Sequence, residues 1–344
     1  MRAVAMGLGI DIGTSQVVIA TSEKGVVLRE PSVLAVEKAS GKILACGQKA
    51  QAMLGRTPDS IEVIRPIRKG VISDYNYAET MIRHFVRRVC TYKVLKPNTA
   101  VTLPSTVTEV EQRSMVEAVS ASGVRRVMLL EKAVAALIGA GEDITEPRGR
   151  MVADFGGGTT DITVMSLSGI AASHSVRVGG DDLDEAIVRY VKGKYNHVIG
   201  LPTAEQLKIA IGSVLPADGA MEVKGRNAYT GLPCVQTVTA EDVQKAMEEP
   251  LSRMLSAVLL TLERTLPDLA GDVMRDGMVL TGGTAQLRGL PERLEQLTGI
   301  PCRVADDPMD CGAKGAYIAL QKRRELSHSV YNVSQFNRPD ELWG

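Results

Sequence analysis

A short pattern occurs twice in this chain, near the start at residues 9–15 and near the middle at residues 152–161. In each copy an aspartate ends an apolar run, and glycines and hydroxyl residues follow it. A second run, rich in β-branched residues, comes next at Gln16 to Thr21 and at Ile162 to Ser166. Two strands around such a turn predict a β-hairpin. We therefore expect two equivalent hairpins, one in each half of the chain.

Both predicted turns have the chemistry of an anion site. Glycine lets backbone N–H groups approach a phosphate because it has no Cβ, and hydroxyl groups add donors. One such turn alone would more often be an ordinary connection between strands, but two copies favour phosphate binding. The candidate phosphate-binding residues are Gly13, Thr14, Ser15 and Gln16 in the first copy, and Gly156, Gly157, Gly158 and Thr159 in the second.

The two aspartates of the repeat, Asp11 and Asp154, are the candidate metal residues. Mg²⁺ keeps most of its waters, so one or two carboxylates that hold those waters beside the phosphates suffice. We predict that both aspartates contact Mg²⁺ through water and that Asp154 also takes part in catalysis.

A third segment, residues 278–285, is predicted to be a strand that ends in a double glycine. With the two hairpins, its order and spacing resemble the actin-like ATPase superfamily, which includes actin, the large heat-shock chaperones, sugar kinases and bacterial filament proteins. The resemblance implies that the flat backbone of this segment lies against the adenosine, with contacts from Gly282, Gly283, Thr284 and Ala285.

Within that superfamily the chain resembles the bacterial MreB family, from residue 7 to about residue 322. The segments that carry this resemblance are residues 30–33, 64–67, 70–75, 178–181, 184–187 and 208–212. It implies an α/β, actin-like fold in which two RNase H-like domains, each with a smaller subdomain, enclose ATP and Mg²⁺ in a cleft. The expected bounds are 1–140 plus 310–327 for domain I, with a small subdomain at about 33–65, and 141–309 for domain II, with a small subdomain at about 182–240. Residues 328–344 are expected to form a mobile tail.

Four further residues are implied to bind the nucleotide by resemblance: Gly180, Asp181, Glu205 and Lys208. The segment from Thr203 to Gln206 has the form of a capping box and predicts the start of a helix. Glu205 and Lys208 then lie one turn apart on the same face. Without the family, a surface ion pair would be the preferred interpretation.

The chain departs from the family at Glu131 and Lys132. Related MreB proteins usually have two glutamates and a proline here, and the second glutamate positions the water that attacks the γ-phosphate. A charged lysine cannot accept a proton from water, although it can stabilise negative charge. Three hypotheses follow: Lys132 favours tight ATP binding with slow hydrolysis, Glu131 takes over the role, or the loop has moved. We prefer the first, because neighbouring residues on a helix point about 100° apart.

The resemblance also implies where the protein acts. In MreB relatives a short apolar loop of the amino-terminal domain enters the membrane, and the matching residues here are Val94 and Leu95, flanked by Lys93 and Lys96. The alternative is a plain surface loop. The expected function is an ATP-binding cytoskeletal protein that forms double filaments on the inner face of the cell membrane. There it would organise cell-wall synthesis with membrane partners and maintain rod shape.

Other functions of the same superfamily lack expected features. A chaperone would need a peptide-binding domain after the ATPase, and a sugar kinase an extra substrate lobe and a catalytic aspartate. A plasmid-segregating filament or a non-polymerising ATP-binding protein remains as an alternative.

Composition excludes several classes of function. The chain has 40 basic and 40 acidic residues, so no overall field favours nucleic acid. The five cysteines and four histidines show no metal-ligand spacing and predict reduced, cytosolic, structural thiols. No apolar run approaches the ~20 residues that cross a bilayer, and Asp11 interrupts the apolar stretch expected of a signal peptide.

Two long helices are predicted in the second half. Apolar residues at three- and four-residue spacing predict a helix from Thr239 to Thr265, which Pro250 is expected to break. A second helix is predicted from Asp310 to Arg324.

Overall fold

A computed structural model describes residues 7–21, 25–90 and 96–322. The strands are β1 (Gly7–Ile12), β2 (Gln16–Thr21), β3 (Gly25–Pro31), β4 (Leu34–Glu37), β5 (Ile43–Cys46), β6 (Ile61–Ile64), β7 (Ile67–Arg68), β8 (Val71–Ile72), β9 (Asn98–Leu103), β10 (Arg126–Glu131), β11 (Arg150–Phe155), β12 (Thr160–Ser166), β13 (Gly169–Val176), β14 (His197–Val198), β15 (Ala220–Asn227), β16 (Pro233–Thr239), β17 (Met278–Thr281) and β18 (Cys302–Val304).

The helices alternate with these strands. They are α1 (Gln48–Gln51), α2 (Tyr75–Val89), α3 (Glu109–Ala121), α4 (Lys132–Gly139), α5 (Gly180–Tyr195), α6 (Leu201–Ile211), α7 (Ala240–Arg264), α8 (Pro267–Asp276), α9 (Leu290–Thr298) and α10 (Cys311–Gln321). Within the described ranges, no helix is both long and apolar enough to cross a membrane.

The duplicated sequence pattern is part of a duplicated sheet. The first five-stranded sheet has the order β10-β9-β1-β2-β3, and the second has the equivalent order β18-β17-β11-β12-β13. In both sheets the predicted hairpin is antiparallel, and its first strand pairs in parallel with a strand from much later in the chain. The two predicted hairpins are confirmed as β1–β2 and β11–β12.

Two smaller sheets accompany the large ones. Strands β5-β4-β6 lie within the predicted first subdomain, and strands β14-β15-β16 lie within the predicted second subdomain. Each large sheet has its own apolar core, which is continuous with the helices packed on it. This arrangement agrees with two separate α/β bodies.

Helices α4 and α10 join the two sheets. Their apolar residues form a third core together with Leu130 of the first sheet and Val152 and Val279 of the second. The two helices pack backbone to backbone: a Cβ added at Gly315 would lie 1.7 Å from the carbonyl oxygen of Ala135, and one added at Gly139 would lie 1.9 Å from that of Cys311. Small residues at this crossing therefore set the position of α4, whose first residue is Lys132.

The long helix α7 corrects one prediction. It continues through Pro250, which was expected to break it. Proline removes one helical hydrogen bond, but Pro250 and the neighbouring Met247, Leu251 and Met254 are buried in the core of the second sheet. Burial of this apolar face offsets the loss, and the helix continues from Ala240 to Arg264.

The start of α6 corrects a second prediction. The helix begins at Leu201 rather than at a capping box on Thr203, and its N-cap is Gly200 without a side-chain hydrogen bond. Pro202 lies in the first turn, where its fixed φ favours helix and its missing N–H has no helical partner. Helix α10 likewise begins at Cys311, one residue after the predicted start, and is described to Gln321.

Gly315→Ala should destabilise the protein by about 1–3 kcal/mol, because the new methyl group overlaps the backbone of α4. Chemical unfolding followed by circular dichroism measures this change. The matched control is Gly193→Ala, since its Cβ in helix α5 meets open space; this variant should gain up to about 1 kcal/mol. Equal stability of both variants would contradict the close crossing of α4 and α10.

Candidate functional site

A cavity of about 770 Å³ lies between the two large sheets. Its walls come from both hairpin turns, the start of α5, the face of α6 and the segment after β17. The volume is within the range of cofactor sites, about 300–1,000 Å³. Nearly all of the residues that were predicted from the sequence to bind nucleotide lie together in the wall of this cavity.

The two hairpin turns have the same backbone geometry. The amide of Gly13 donates to the carbonyl of Gln16 at 2.9 Å, and the amide of Gly156 donates to the carbonyl of Thr159 at 2.9 Å. The turns differ in side chains, because the central residues are Thr14 and Ser15 in the first turn and two glycines in the second.

This difference lets the turns touch. A Cβ added at Gly157 would lie 1.9 Å from the hydroxyl of Ser15, and one added at Gly158 would lie 2.2 Å from the hydroxyl of Thr14. Glycine at both positions therefore leaves room for the hydroxyls of Ser15 and Thr14. Backbone N–H groups and two hydroxyls are concentrated where the turns meet, as an anion site requires.

The aspartate of each repeat is held by a threonine on the neighbouring parallel strand. Thr102 on β9 donates to Asp11 Oδ1 at 2.5 Å, and Thr281 on β17 donates to Asp154 Oδ1 at 2.8 Å. Both carboxylates are buried. Burial raises the pKa of Asp11, against the opposing effects of the Lys132 ammonium and the Thr102 hydrogen bond.

Lys132 extends from the start of α4 into this group of carboxylates. Its Nζ lies 3.1 Å from Asp154 Oδ2, and both side chains are largely buried. Burial acts to lower the pKa of Lys132, but the charges of Asp154, Asp11 and Asp161 outweigh it and raise that pKa. The lysine is therefore an ammonium at any physiological pH and cannot act as a general base.

Glu131 faces a different direction. It is the last residue of β10, and its carboxylate accepts a 3.4 Å hydrogen bond from the hydroxyl of Ser173 on β13. Burial raises the pKa of Glu131. The residue lies outside the cavity lining, whereas its neighbour Lys132 lies within it. This geometry argues against a transfer of the water-positioning role to Glu131.

The segment after β17 forms another wall of the cavity, and its residues Gly283–Gln286 form a short 3-10 helix rather than the expected flat backbone. Gly282 has φ +85°, and a Cβ there would lie 2.3 Å from the carbonyl oxygen of Phe155. The hydroxyl of Thr284 donates to the carbonyl of Gly156 at 3.0 Å, which ties this segment to the second turn. The two glycines carry no side chain, but Gln286, Leu287 and Met309 also line the cavity, and the predicted contact with a planar base stays a prediction.

Lys208 closes the cavity from α6. Its Nζ lies 2.8 Å from Asp184 Oδ1 and 3.0 Å from the carbonyl oxygen of Gly180. Burial raises the pKa of Asp184 to about 7, although Lys208 opposes the shift. Glu205, one turn before Lys208, also lines the cavity.

Ion pairs cross from one body to the other. Arg65 lies 2.9 Å from Asp181 Oδ2, and Lys69 pairs with Asp182 at the start of α5. The hydroxyl of Ser15 donates to Asp181 Oδ1 at 3.4 Å. Asp181 thus lines the cavity and also contacts Arg65 and Ser15 on the opposite side of the cleft.

The cavity wall contains Gly13, Thr14, Ser15, Gln16, Gly156, Gly157, Gly158, Thr159, Gly180, Asp181, Glu205, Lys208, Gly282, Gly283 and Thr284. Of the nominated binding residues, Ala285 is buried beside the cavity but does not line it. The membrane candidates Val94 and Leu95 lie outside the described residues.

Sequence reasoning missed several residues of the site. Arg65 and Gly70 lie within family-like segments but were not assigned a role, and Thr102 lies on a strand that had not been singled out. The signal for Thr102 was a parallel with Thr281, which ends the equivalent strand of the second sheet. Arg288 and Met309 also line the cavity without a recognisable motif.

The carboxylates of the cavity decide how it could hold magnesium. Among the described residues there is no cluster of three side chains able to ligate a metal directly. Asp11 and Asp154 remain suited to hold waters of a Mg²⁺ ion that arrives with phosphates, although Asp154 already contacts Lys132. The two aspartates fit the predicted water-mediated role, which stays a prediction.

Comparison with known proteins gives consistent matches over nearly the whole chain. The family model described as "MreB/Mbl protein" matches residues 5–328. The cell shape-determining protein MreB of Escherichia coli K12 is 44% identical over 322 residues, which cover 91% of this chain and 93% of that protein. The cell shape-determining protein Mbl of Bacillus subtilis 168 is 41% identical over 325 residues, or 94% of this chain and 98% of that protein.

A solved structure gives the same result. MreB 5 of Spiroplasma citri bound to AMPPNP superimposes with a TM-score of 0.89 at 31% identity, and the match covers 94% of this chain and 98% of that one. The predicted actin-like α/β fold is confirmed.

Asp184 gives the site a testable pH dependence. Because its folded pKa is raised to about 7, above an unfolded value near 3.9, the folded state binds more protons between these values. Stability should therefore fall as pH rises through this window, by about 1 kcal/mol per pH unit between pH 5 and 7.

Asp184→Asn removes this titration and should make the free energy of unfolding nearly independent of pH between 5 and 7. Urea unfolding of the parent and the variant at several pH values measures this free energy. A parent curve that rises relative to the variant between pH 5 and 7 would show that the ion pair with Lys208 dominates over burial.

Proposed function

The chain belongs to the MreB/Mbl protein family, and we propose that it is a nucleotide-gated, filament-forming cytoskeletal protein. In this proposal it assembles on the inner face of the cell membrane, organises cell-wall synthesis with membrane proteins and maintains rod shape. The proposal includes a nucleotide site for ATP with Mg²⁺, in the cavity between the two sheets.

The observation that carries the proposal is the contact between the two hairpin turns. Thr14 and Ser15 from the first body pack on Gly157 and Gly158 from the second. A triphosphate held by N–H groups of both turns would bind both bodies at once. The related MreB 5 has AMPPNP bound, which supports a nucleotide as the ligand here.

The nucleotide would then act as a lock between the bodies. The ion pairs of Arg65 with Asp181 and of Lys69 with Asp182 already span the cleft beside the turns. Loss of the nucleotide would leave these two half-buried pairs to hold the closed form. We propose the boundaries predicted from the sequence for the two moving domains, 1–140 plus 310–327 and 141–309.

The proposal that the protein polymerises rests on its family, and not on a contact observed in this chain. A head-to-tail contact joins different surfaces of identical subunits and does not close, so it produces filaments. Nucleotide-dependent closure would change the relative position of those surfaces.

Attachment to the membrane is proposed through Val94 and Leu95. Basic residues on both sides support it: Arg87 is exposed near the end of α2 and Lys96 is exposed just after residue 95, whereas the exposed Arg88 is paired with Glu30. Each basic residue near an anionic surface contributes about 1 kcal/mol. A filament presents many such loops together, which multiplies a weak individual affinity.

Turnover of ATP is proposed to be slow. The residues proposed to hold the phosphates line the cavity, but the group at position 132 is an ammonium that cannot accept a proton from the attacking water. Mg²⁺, when bound, would neutralise charge on the phosphates. Thr102 and Thr281 keep the carboxylates of Asp11 and Asp154 oriented towards that region.

Electron microscopy of the purified protein on anionic lipid, with Mg-ATP, Mg-ADP or no nucleotide, tests the proposed function. We expect paired filaments that lie on the lipid and depend on nucleotide. The double variant Val94→Asp with Leu95→Asp should form filaments in solution but not on lipid. Monomers in every condition would favour a non-polymerising ATP-binding protein, and filaments that ignore lipid would favour a plasmid-segregating type.

Lys132→Glu should increase steady-state phosphate release with Mg-ATP by at least about tenfold, since it places a carboxylate where water can be positioned. A coupled phosphate assay measures the rate. Lys245→Glu makes the same charge change on α7, outside the cavity lining, and should leave the rate unchanged. Equal rates for the parent and Lys132→Glu would contradict slow turnover caused by the lysine.

A further inference from the structure

The amino group of Lys132 is the centre of a buried cluster of charges. It lies 3.1 Å from Asp154 Oδ2 and interacts electrostatically with Asp11 and Asp161. The three aspartates are each at most 9% exposed. They come from β1, β11 and β12, so the ammonium on α4 faces carboxylates of both sheets.

The position of this lysine is not explained by the helix that carries it. Lys132 is the first residue of α4, where the helix dipole disfavours a positive charge. The carboxylates therefore hold the ammonium in place. Gly156 provides the space, since a Cβ at that position would lie 3.0 Å from Lys132 Nζ.

The closeness of Lys132 Nζ to Gly156 also places the ammonium beside the second phosphate turn. Gly156 is the first residue of that turn, and Lys132 and Gly156 both line the cavity. A phosphate bound between the turns would thus have a fixed positive charge close by. In a buried site such a charge is screened much less than at the surface.

The net charge of this buried cluster affects how easily phosphates can bind. With Asp11, Asp154 and Asp161 ionised, the lysine leaves the cluster with a net charge of about −2, whereas a glutamate at position 132 would make it about −4. An incoming nucleotide adds several further negative charges. Without an internal cation, a divalent metal would have to offset this repulsion before phosphates could bind.

We propose that the Lys132 ammonium supplies part of the positive charge that a divalent cation otherwise provides, so that this protein binds nucleotide with little dependence on Mg²⁺. The inference rests on the proposed nucleotide site and concerns how that site is regulated. Changes in the cellular concentration of free Mg²⁺ would then alter the fraction of this protein that has nucleotide bound less than they would for a protein with glutamate at position 132.

Titration of a fluorescent AMPPNP analogue into the full chain, in Mg²⁺ buffer and in EDTA buffer, tests the proposal without reference to turnover. The readout is the ratio of the two dissociation constants. We expect a ratio below about fivefold for the parent and at least about fiftyfold for Lys132→Glu, which is the range of ordinary coupling between two ligands. Lys132→Met, which removes the charge and keeps the length, should fall between them.

The control variant is Lys194→Met. Lys194 also pairs with a largely buried carboxylate, that of Asp242, but it lies outside the cavity lining. Its ratio should equal that of the parent. This control separates the loss of a lysine that pairs with a buried carboxylate from the loss of charge at the phosphate turns.

Three results would overturn the inference in distinguishable ways. A parent ratio above about tenfold would contradict it even if no variant folds. Equal ratios for the parent, Lys132→Met and Lys132→Glu would show that the lysine has no effect on metal dependence. Absence of nucleotide binding by the parent in both buffers would contradict the proposed nucleotide site itself.

Discussion

The contact between the Lys132 ammonium and the carboxylate of Asp154 links the two halves of the molecule. Lys132 begins the helix that follows the first sheet, and Asp154 ends the first strand of the second sheet. Buried carboxylates are costly unless they are paired or hydrogen-bonded. Here a lysine and two threonines meet that requirement at the place where phosphates are proposed to bind, so the stability of the cleft and its chemistry depend on the same few groups.

The position of Lys132 depends in turn on the crossing of α4 and α10. Gly139 and Gly315 allow the two backbones to touch, and α10 also brings Gly312 within contact of Asp11, since a Cβ there would lie 2.9 Å from Asp11 Oδ2. A small-residue contact away from the cavity thereby determines the distance between its charged groups. Helix packing, carboxylate burial and the proposed metal independence are consequences of one arrangement.

The duplication is symmetrical in backbone and asymmetrical in side chains. Both sheets have the same strand order, and both turns are closed by the same hydrogen bond. Yet Thr14 and Ser15 project from one turn, and glycines receive them in the other. A Cβ at Gly157 or Gly158 would overlap a hydroxyl of the first turn, so the close contact depends on the glycines of the second turn.

Local patterns were sufficient for the hairpins, whereas the predicted cavity residues of α5, α6 and the segment after β17 came from the family resemblance. One turn of glycine and hydroxyl residues after an apolar strand is usually an ordinary connection, and only its repetition made the interpretation specific. Predictions failed where packing outweighs local propensity. Pro250 remains within α7 because its neighbours are buried in the core, and α6 begins before Thr203 because Pro202 favours the first turn.

The sequence by itself determined the two hairpin turns, the family and the departure at Lys132, because each is a matter of residue type and spacing along the chain. Tertiary structure decided which groups those residues meet. Thr102 reaches Asp11 across a parallel pairing, and Arg65 reaches Asp181 across the cleft. Such partners are far apart in sequence, and no local periodicity encodes the distance between them; it is fixed only when the sheets and helices pack.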